Sequence, residues 1–457
     1  MRRRSVAVLS FETSDDGLPQ VVCEYRDRFR AISQVLDANP EILSVVHEDL
    51  ERASATKSHK DGRGRKGDYT SENILRALLV QHMEGLPFRD TIVRIGNEPF
   101  LQDFVRMHKK VVMDFTFLDR CFLAIRPETW KRVNELLGQY GVACGVVTTE
   151  IIRTDTTVVE SNIHYPTDAS LLWDVWRVAV RLLTLVRKDK AVRCRRFHTK
   201  KIKRLYLYVI RYSSSKSARR QRQVKKTFHT LIERVASIVS IVENFCAGLA
   251  SKAACGFTAA AMELRGYLPA MKTVVDTARR SQINGETVPA SDRVFSLFEQ
   301  HTELIKRGKR QKPVEFGHKV LLCETPEKFI SDYQVYEKQE ADCALTKSVI
   351  ERHEKLFGAT PEVLAADKGF CPAEEEFEEL AKQVGTLAIP RRMQDFVNKV
   401  LAHWQAFRAG IEGTISGLKR AFRLVRCYFK GFKGFSSAVG LGVFCHNLIV
   451  LANHATA

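Results

Sequence analysis

The sequence predicts a mixed α/β fold whose sheet is interrupted by a long, basic, helical insertion. Three observations predict it. Residues 149–163, "TEIIRTDTTVVESNI", are crowded with the β-branched residues that favour strands. From about residue 314 onward, β-rich and helix-patterned segments alternate. Between these blocks, about 170–280 reads as helix and carries most of the excess positive charge. With 457 residues and a 45% hydrophobic fraction, the chain is long enough for two or three domains with their own cores.

Elements follow in order. Residues 20–55 read as helix, with Phe29, Ile32, Val35 and Leu36 at helical spacing. "KSHKDGRGRKGDY", 57–69, is a polar basic linker. A helix then starts with Ser71 as its cap and stops at Gly85. A second begins over Asp90–Ile95, a third follows Pro99, and a fourth spans about 117–140. Short helices with tight turns fit either a helix-turn-helix DNA reader or a helical packing domain. Residues 149–163 are one long strand or two. In the later half, 314–324 and 329–338 are β-rich, 344–357 is helix, "PEVLAADKGF" strand, "CPAEEEFEELAKQVG" helix and "TLAIPRR" strand, and 393–425 is one long helix. The expected domains are 1–66, an N-terminal helix and basic linker; 67–148, helical; 149–170 with 310–457, the α/β core; and 171–309, the insertion.

Charge and composition narrow the function. The net charge is +19, from 72 Lys and Arg against 53 Asp and Glu. From Arg181 to Lys226 there are eighteen Lys and Arg and one acid, Asp189. A block this dense, with apolar residues interleaved as in "KIKRLYLYVIRY", is the footprint of a polyanion binder, because Lys and Arg displace phosphate counterions. Arg195, Arg196, Lys200, Lys201, Lys203 and Arg204 form its centre. The eleven cysteines include no C-x-x-C pair, which excludes the usual zinc-finger and disulfide frameworks. No apolar run reads as a membrane span of ~20 residues. "MRRRSVAVLSFETSDD" makes a poor signal peptide, so the expected location is the cytoplasm with no membrane partner.

Three carboxylates stand out by context. Asp155 interrupts the first strand, where Asp is disfavoured. Asp367 ends a later strand just before Gly369, and Glu412 lies on the C-terminal helix. Drawn together by an α/β fold, two strand acids and one helix acid repel one another unless cations bind them. Oxygen ligands with open water positions suit Mg²⁺ or Mn²⁺, and two such ions suit phosphodiester chemistry. On a continuous helix, Arg408, Glu412 and Lys419 fall within about 40° of one another. Arg408 then pairs with Glu412, and Lys419 extends the face toward a phosphate. Arg391 and Arg392 follow a strand at the sheet edge, where DNA phosphates can lie. Glu160 is weighed as an auxiliary acid, and His318 and Lys319 as bordering the site. Asp168 is read as a helix cap, Asp174 as a helix-face residue, and Trp173 and Trp176 as core.

These motifs resemble the DDE transposases of bacterial insertion sequences, in the superfamily whose final Glu lies in Y-x-x-R-x-x-x-E-x-x-x-x-x-x-K. Arg408, Glu412 and Lys419 match in register, while Gln405 stands where the family has Tyr. Asp155-Thr156-Thr157 matches the first acid with its following hydroxyl, and Asp367-Lys368-Gly369-Phe370 matches D-x-G-[YF]. The resemblance covers roughly 70–170 and 310–450. It implies an RNase H-like core with Asp155, Asp367 and Glu412 as catalytic and metal-binding residues and two Mg²⁺ (or Mn²⁺) ions. It also implies cleavage at element ends and transfer of the freed 3′-OH to target DNA. The expected partners are double-stranded DNA, as terminal inverted repeats and target, and further copies of the chain in a dimer or larger assembly. An RNase H-like nuclease or resolvase without strand transfer, and an inactive DNA-binding descendant, are the alternatives.

Overall fold

The computed structural model describes residues 2–5, 14–55, 69–107, 112–188, 197–250, 259–306, 313–391 and 399–455. Helices α1 (Gln20–Ala38), α2 (Pro40–Ala55), α3 (Ser71–Met83), α4 (Phe88–Asn97), α5 (Pro99–Phe104), α6 (Phe115–Ala124) and α7 (Pro127–Ala143) come first. Two expected single helices are each two, split before Pro40 and before Pro127. Proline lacks the N–H that a continuing helix needs and disfavours helical backbone in the residue before it. The cap of α3 is Thr70, not Ser71. Its hydroxyl accepts from the Asn73 N–H at 3.1 Å while Asn73 Oδ1 accepts from the Thr70 N–H at 2.9 Å, closing a reciprocal capping box.

One long strand follows, β1 (Ile151–Ser161), then helices α8 (Asp168–Lys188), α9 (Thr199–Tyr212), α10 (Ala218–Ala250) and α11 (Ala259–Gln282). Next come β2 (Glu303–Lys306), β3 (Val314–Glu324), β4 (Ile330–Val335), α12 (Thr346–Phe357), β5 (Val363–Ala365), α13 (Glu374–Gln383) and β6 (Thr386–Ala388). The chain ends with α14 (Lys399–Ala409), α15 (Ile411–Ala421), β7 (Arg426–Cys427) and α16 (Gly431–Ala455). The fold is mixed α/β. Its sheet runs β2-β3-β1-β5-β6, with β4 paired to β3 and β7 to β1. β1 is antiparallel to β3 and parallel to β5 and β7, and β5 is parallel to β6.

The chain divides into two compact units, residues 1–161 with 317–457, and residues 162–316. In the first, the N-terminal helices share one core with the sheet and α16, through residues such as Leu78, Trp130, Val320 and Phe444. By length and composition α16 is apolar enough to cross a membrane, a run the sequence pattern did not single out, yet 83% of its apolar window is buried. Polar detail explains its place. The Asn447 side chain accepts from the Ile330 N–H and donates to the Ile330 carbonyl, both at 2.9 Å, tying the helix to β4. At Gly440 a Cβ would stand 2.6 Å from Trp130, so only glycine lets α16 close on α7.

The second unit builds its own core from α8–α11, with Leu172, Trp176, Leu231, Val235, Leu264 and Met271 inside. On α9, Ile202 and Val209 are buried and Leu205 and Tyr206 partly so, a stripe at i, i+3, i+4 and i+7. The opposite face carries the charge. Asp168 does not cap α8. Thr167 does, accepting from the Ser170 N–H at 3.1 Å, while Asp168 pairs with Arg293 at 3.0 Å. Asp174, expected on a helix face, is buried against Arg177, with His164 at 3.5 Å.

Candidate active site

β1 sets the geometry. Arg153 and Asp155 are two residues apart and so project to the same face, which α14 and α15 cover. The parallel register matches Arg153 to Ala365. The ladder ends there, and Asp367 follows two residues beyond, in the turn that leads on from β5, near enough for its charge to act on Asp155. Asp367 accepts from the Gly369 N–H at 2.8 Å and caps the turn Lys368–Phe370. Glycine fits that turn because a Cβ there would press on the Asp367 carboxylate at 3.0 Å.

Burial pushes the Asp155 carboxyl up to about 6, against the pull of its hydrogen bond from the Thr156 N–H; Asp367 and Asp342 push it further, and Arg408 opposes them. Arg408 is the cation at the centre. It lies 3.5 Å from Asp155 and 3.4 Å from Glu412. The Asp155 side chain is 17% exposed and that of Glu412 66%. Glu412 is thus at the mouth of the site and Asp155 at its floor.

The long helix expected over 393–425 is not continuous. Among the described residues it breaks at Gly410 into α14 and α15. The cause lies beneath it. Arg153 donates to the Phe407 carbonyl at 2.7 Å and to Glu324 at 2.5 Å, and Thr414 donates to the other oxygen of Glu324. The Arg153 guanidinium fills the space a Cβ at Gly410 would need. The buried pair thus pins the last turn of α14 and the first turn of α15 to β1 and β3. The single-helix argument for Arg408, Glu412 and Lys419 therefore loses its basis, yet Arg408 still reaches Glu412 across the break.

Gln405 has a definite task. Its amide donates to the carbonyls of Ala366 and Ala388, both at 3.0 Å, so α14 clamps the ends of β5 and β6 next to Asp367. Asp342 is an acid that the sequence pattern did not flag. It accepts from Thr156 at 3.2 Å and from Lys319 at 2.8 Å, so Lys319 borders the site. His318 does not. It is buried between Phe432 and Phe435, its Nδ1 3.0 Å from the Tyr336 carbonyl. Nothing in "EADCAL" marks Asp342 by itself, and only the approach of its turn to Lys368–Phe370 reveals it.

Other expected residues fall elsewhere. Arg391, beyond the end of β6, pairs with Glu374 at 2.7 Å and stacks on Phe377. Glu160, five residues along β1, pairs with Arg426 on β7 at 2.9 Å and not with the site acids. Lys419, on α15, lines a separate pocket with Glu160. Lys200, Lys201, Lys203 and Arg204 lie on α9 in the second unit; Lys200, Lys203 and Arg204 are exposed, as is Lys201, and among the described residues none of the four pairs with a carboxylate. Arg195, Arg196 and Arg392 lie outside the described residues.

Among the described residues no three His, Cys, Asp or Glu side chains converge closely enough to cage a metal. Comparison with protein-family models, curated proteins and solved structures returned no match.

Proposed function

We propose that the chain is a DDE-type DNA transposase with an RNase H-like core, which cleaves phosphodiester bonds at element ends and joins the freed strand to target DNA. One observation carries the reading. Asp155 on β1 and Asp367 just beyond the end of β5, 212 residues apart in sequence, are close enough to repel one another, with Arg408 linking Asp155 to Glu412.

The donor set fits hard divalent cations. Asp155 is held above its ordinary range by burial and by neighbouring carboxylates, a strain that a bound cation relieves. Mg²⁺ needs no full protein cage, since it keeps waters and uses one or two carboxylates with substrate phosphates. Asp155 and Asp367 would hold two Mg²⁺ (or Mn²⁺) ions, with Glu412 completing the second position. Such ions activate an attacking oxygen and stabilise the leaving one.

The remaining side chains prepare the site. Arg408 bridges Asp155 and Glu412, at 3.5 and 3.4 Å, and partly offsets the push on the Asp155 carboxyl. Lys319 fixes Asp342, and Gln405 fixes the backbone that carries Asp367. The exposed cations of α9 offer phosphate contacts that do not depend on sequence. Double-stranded DNA, a dimer or larger assembly, and a cytoplasmic, nucleoid-associated location complete the proposal.

Full-length protein, Mg²⁺ and labelled DNA carrying the element ends test it. Joined strand-transfer products are expected from the wild type and none from Asp155→Asn. Cleavage without joined products would favour a nuclease, and no reaction at all an inactive DNA-binding descendant.

A further inference from the structure

We propose that a second cleft in the first unit binds one unpaired nucleotide, its base among aromatic side chains and its phosphate against arginines. The inference rests on the reading that the chain handles DNA, but the residues are different. The cleft has a volume of about 920 Å³, within the range of small-molecule sites. Phe88, Phe115, Tyr428 and Phe429 supply aromatic surface. A base of any identity has a π-face to lay on such a wall.

Charge complements the rings. Arg420 and Arg423 line the cleft and are exposed. Arg426 is held by Glu160 at 2.9 Å. This leaves a positive mouth over an apolar interior, the combination a nucleotide presents in reverse. Asp119, its carboxyl pushed up by burial, is the other acid in the wall.

The buried end has unmet polar groups. Gln81 and His82 line the cleft and are more than nine-tenths buried. Gln81 Oε1 and His82 Nε2 have no hydrogen-bond partner. The Gln81 amide nitrogen donates to the Leu86 carbonyl at 2.7 Å, and its oxygen is sealed behind the cleft wall. Burial, reinforced by Arg423, lowers His82 to about 4, so the ring is neutral and adds no charge to the wall.

Position sets the cleft apart from the carboxylates. Glu160 lines it and is five residues from Asp155 on β1, about 16 Å at strand rise. The odd separation turns the two side chains to opposite faces of β1, so the cleft is a site separate from the carboxylates.

Photocrosslinking of full-length protein to a single-stranded oligonucleotide carrying 5-iodouracil tests the assignment. The crosslink is expected in the tryptic peptide Cys427–Lys430, which contains Tyr428 and Phe429. Tyr428→Ala and Arg423→Gly should each reduce it at least ~5-fold, as removal of one stacking or phosphate interaction implies. Both positions are exposed, and glycine suits the φ of 56° at Arg423, so unchanged thermal melts should accompany the loss. Asp155→Asn should keep the crosslink even though it abolishes cleavage, which separates failure of this inference from failure of the catalytic reading. Competition by dTMP would identify a free nucleotide as the occupant; competition only by oligonucleotides would identify a strand. Crosslinks confined to 197–230, or a signal at 427–430 that neither variant reduces, would overturn the proposal.

Discussion

Asp155→Asn should make the metal-free protein more stable while abolishing its chemistry. The Asp155 carboxyl titrates at about 6 in the folded chain against an ordinary value of 3.8. Its side chain is only 17% exposed, so solvent screens the effect little. About two pK units correspond to ~3 kcal/mol of folded-state penalty on the ionised form at neutral pH. The sign follows from proton binding. Between pH ~4 and ~6 the folded state holds a proton that the unfolded state has lost, so this group's contribution to stability falls as pH rises. The penalty is absent below pH ~4 and complete above pH ~6.

Asparagine is never ionised, and its side-chain oxygen keeps the bond from the Thr156 N–H, so at pH 7.5 the variant escapes the penalty. For a unit of this size ~3 kcal/mol corresponds to a melting shift of ~5 °C. The gain should vanish as pH falls toward 4. Added Mg²⁺ should raise the wild-type melting temperature and leave the variant unmoved, because a ligand that binds only the folded state stabilises it by mass action. Mg²⁺ affinity should fall as pH drops below about 6, when a proton on Asp155 competes with the cation. Differential scanning calorimetry across pH, with and without Mg²⁺, reads the stability effects. If Asp155→Asn melts below the wild type at pH 7.5 without metal, Asp155 carries no uncompensated charge and the argument for a cation there collapses.

Gly410→Ala should cost ~1–3 kcal/mol by forcing a methyl into the Arg153 guanidinium, seen as a lower urea midpoint together with weaker Mg²⁺-dependent cleavage as Arg408 shifts. Gln405→Leu should lose ~1–3 kcal/mol, because the Ala366 carbonyl loses the Gln405 amide and the Ala388 carbonyl keeps only the Ala366 N–H at 3.4 Å. Its cleavage rate should fall while DNA affinity, measured by fluorescence anisotropy, stays constant. Replacing Lys200, Lys201, Lys203 and Arg204 together by Ala should weaken binding to all DNA sequences alike. It should also flatten the slope of log Kd against log salt by up to ~4, at ~0.9 for each phosphate that is no longer neutralised. An unchanged slope would mean that α9 does not meet DNA.

The sequence by itself determined the kinds of the longer elements and their order, but not the short strands β2 and β7 or the breaks within three helical stretches. β-branched density marked β1, alternating patterns marked β3 to β6, and charge density marked the insertion, because each signal depends on residues near one another in the chain. The acids Asp155 and Asp367 were legible for the same reason, each being anomalous in its local setting. The limits were local too. A single-helix pattern over 393–425 hid the break at Gly410, whose cause is Arg153, more than 250 residues away. The apolar run of α16 is interrupted by glycines, serines and Asn447, whose packing and hydrogen bonds only appear against α7 and β4. Asp342, in a segment with no motif, became visible only when its turn met Lys368–Phe370. Periodicity and propensity act over a few residues, so they fix what each segment is. Strand register, the burial that pushes up Asp155 and the pairing of Arg408 with two acids depend on interactions between distant segments, and only the tertiary structure decided them.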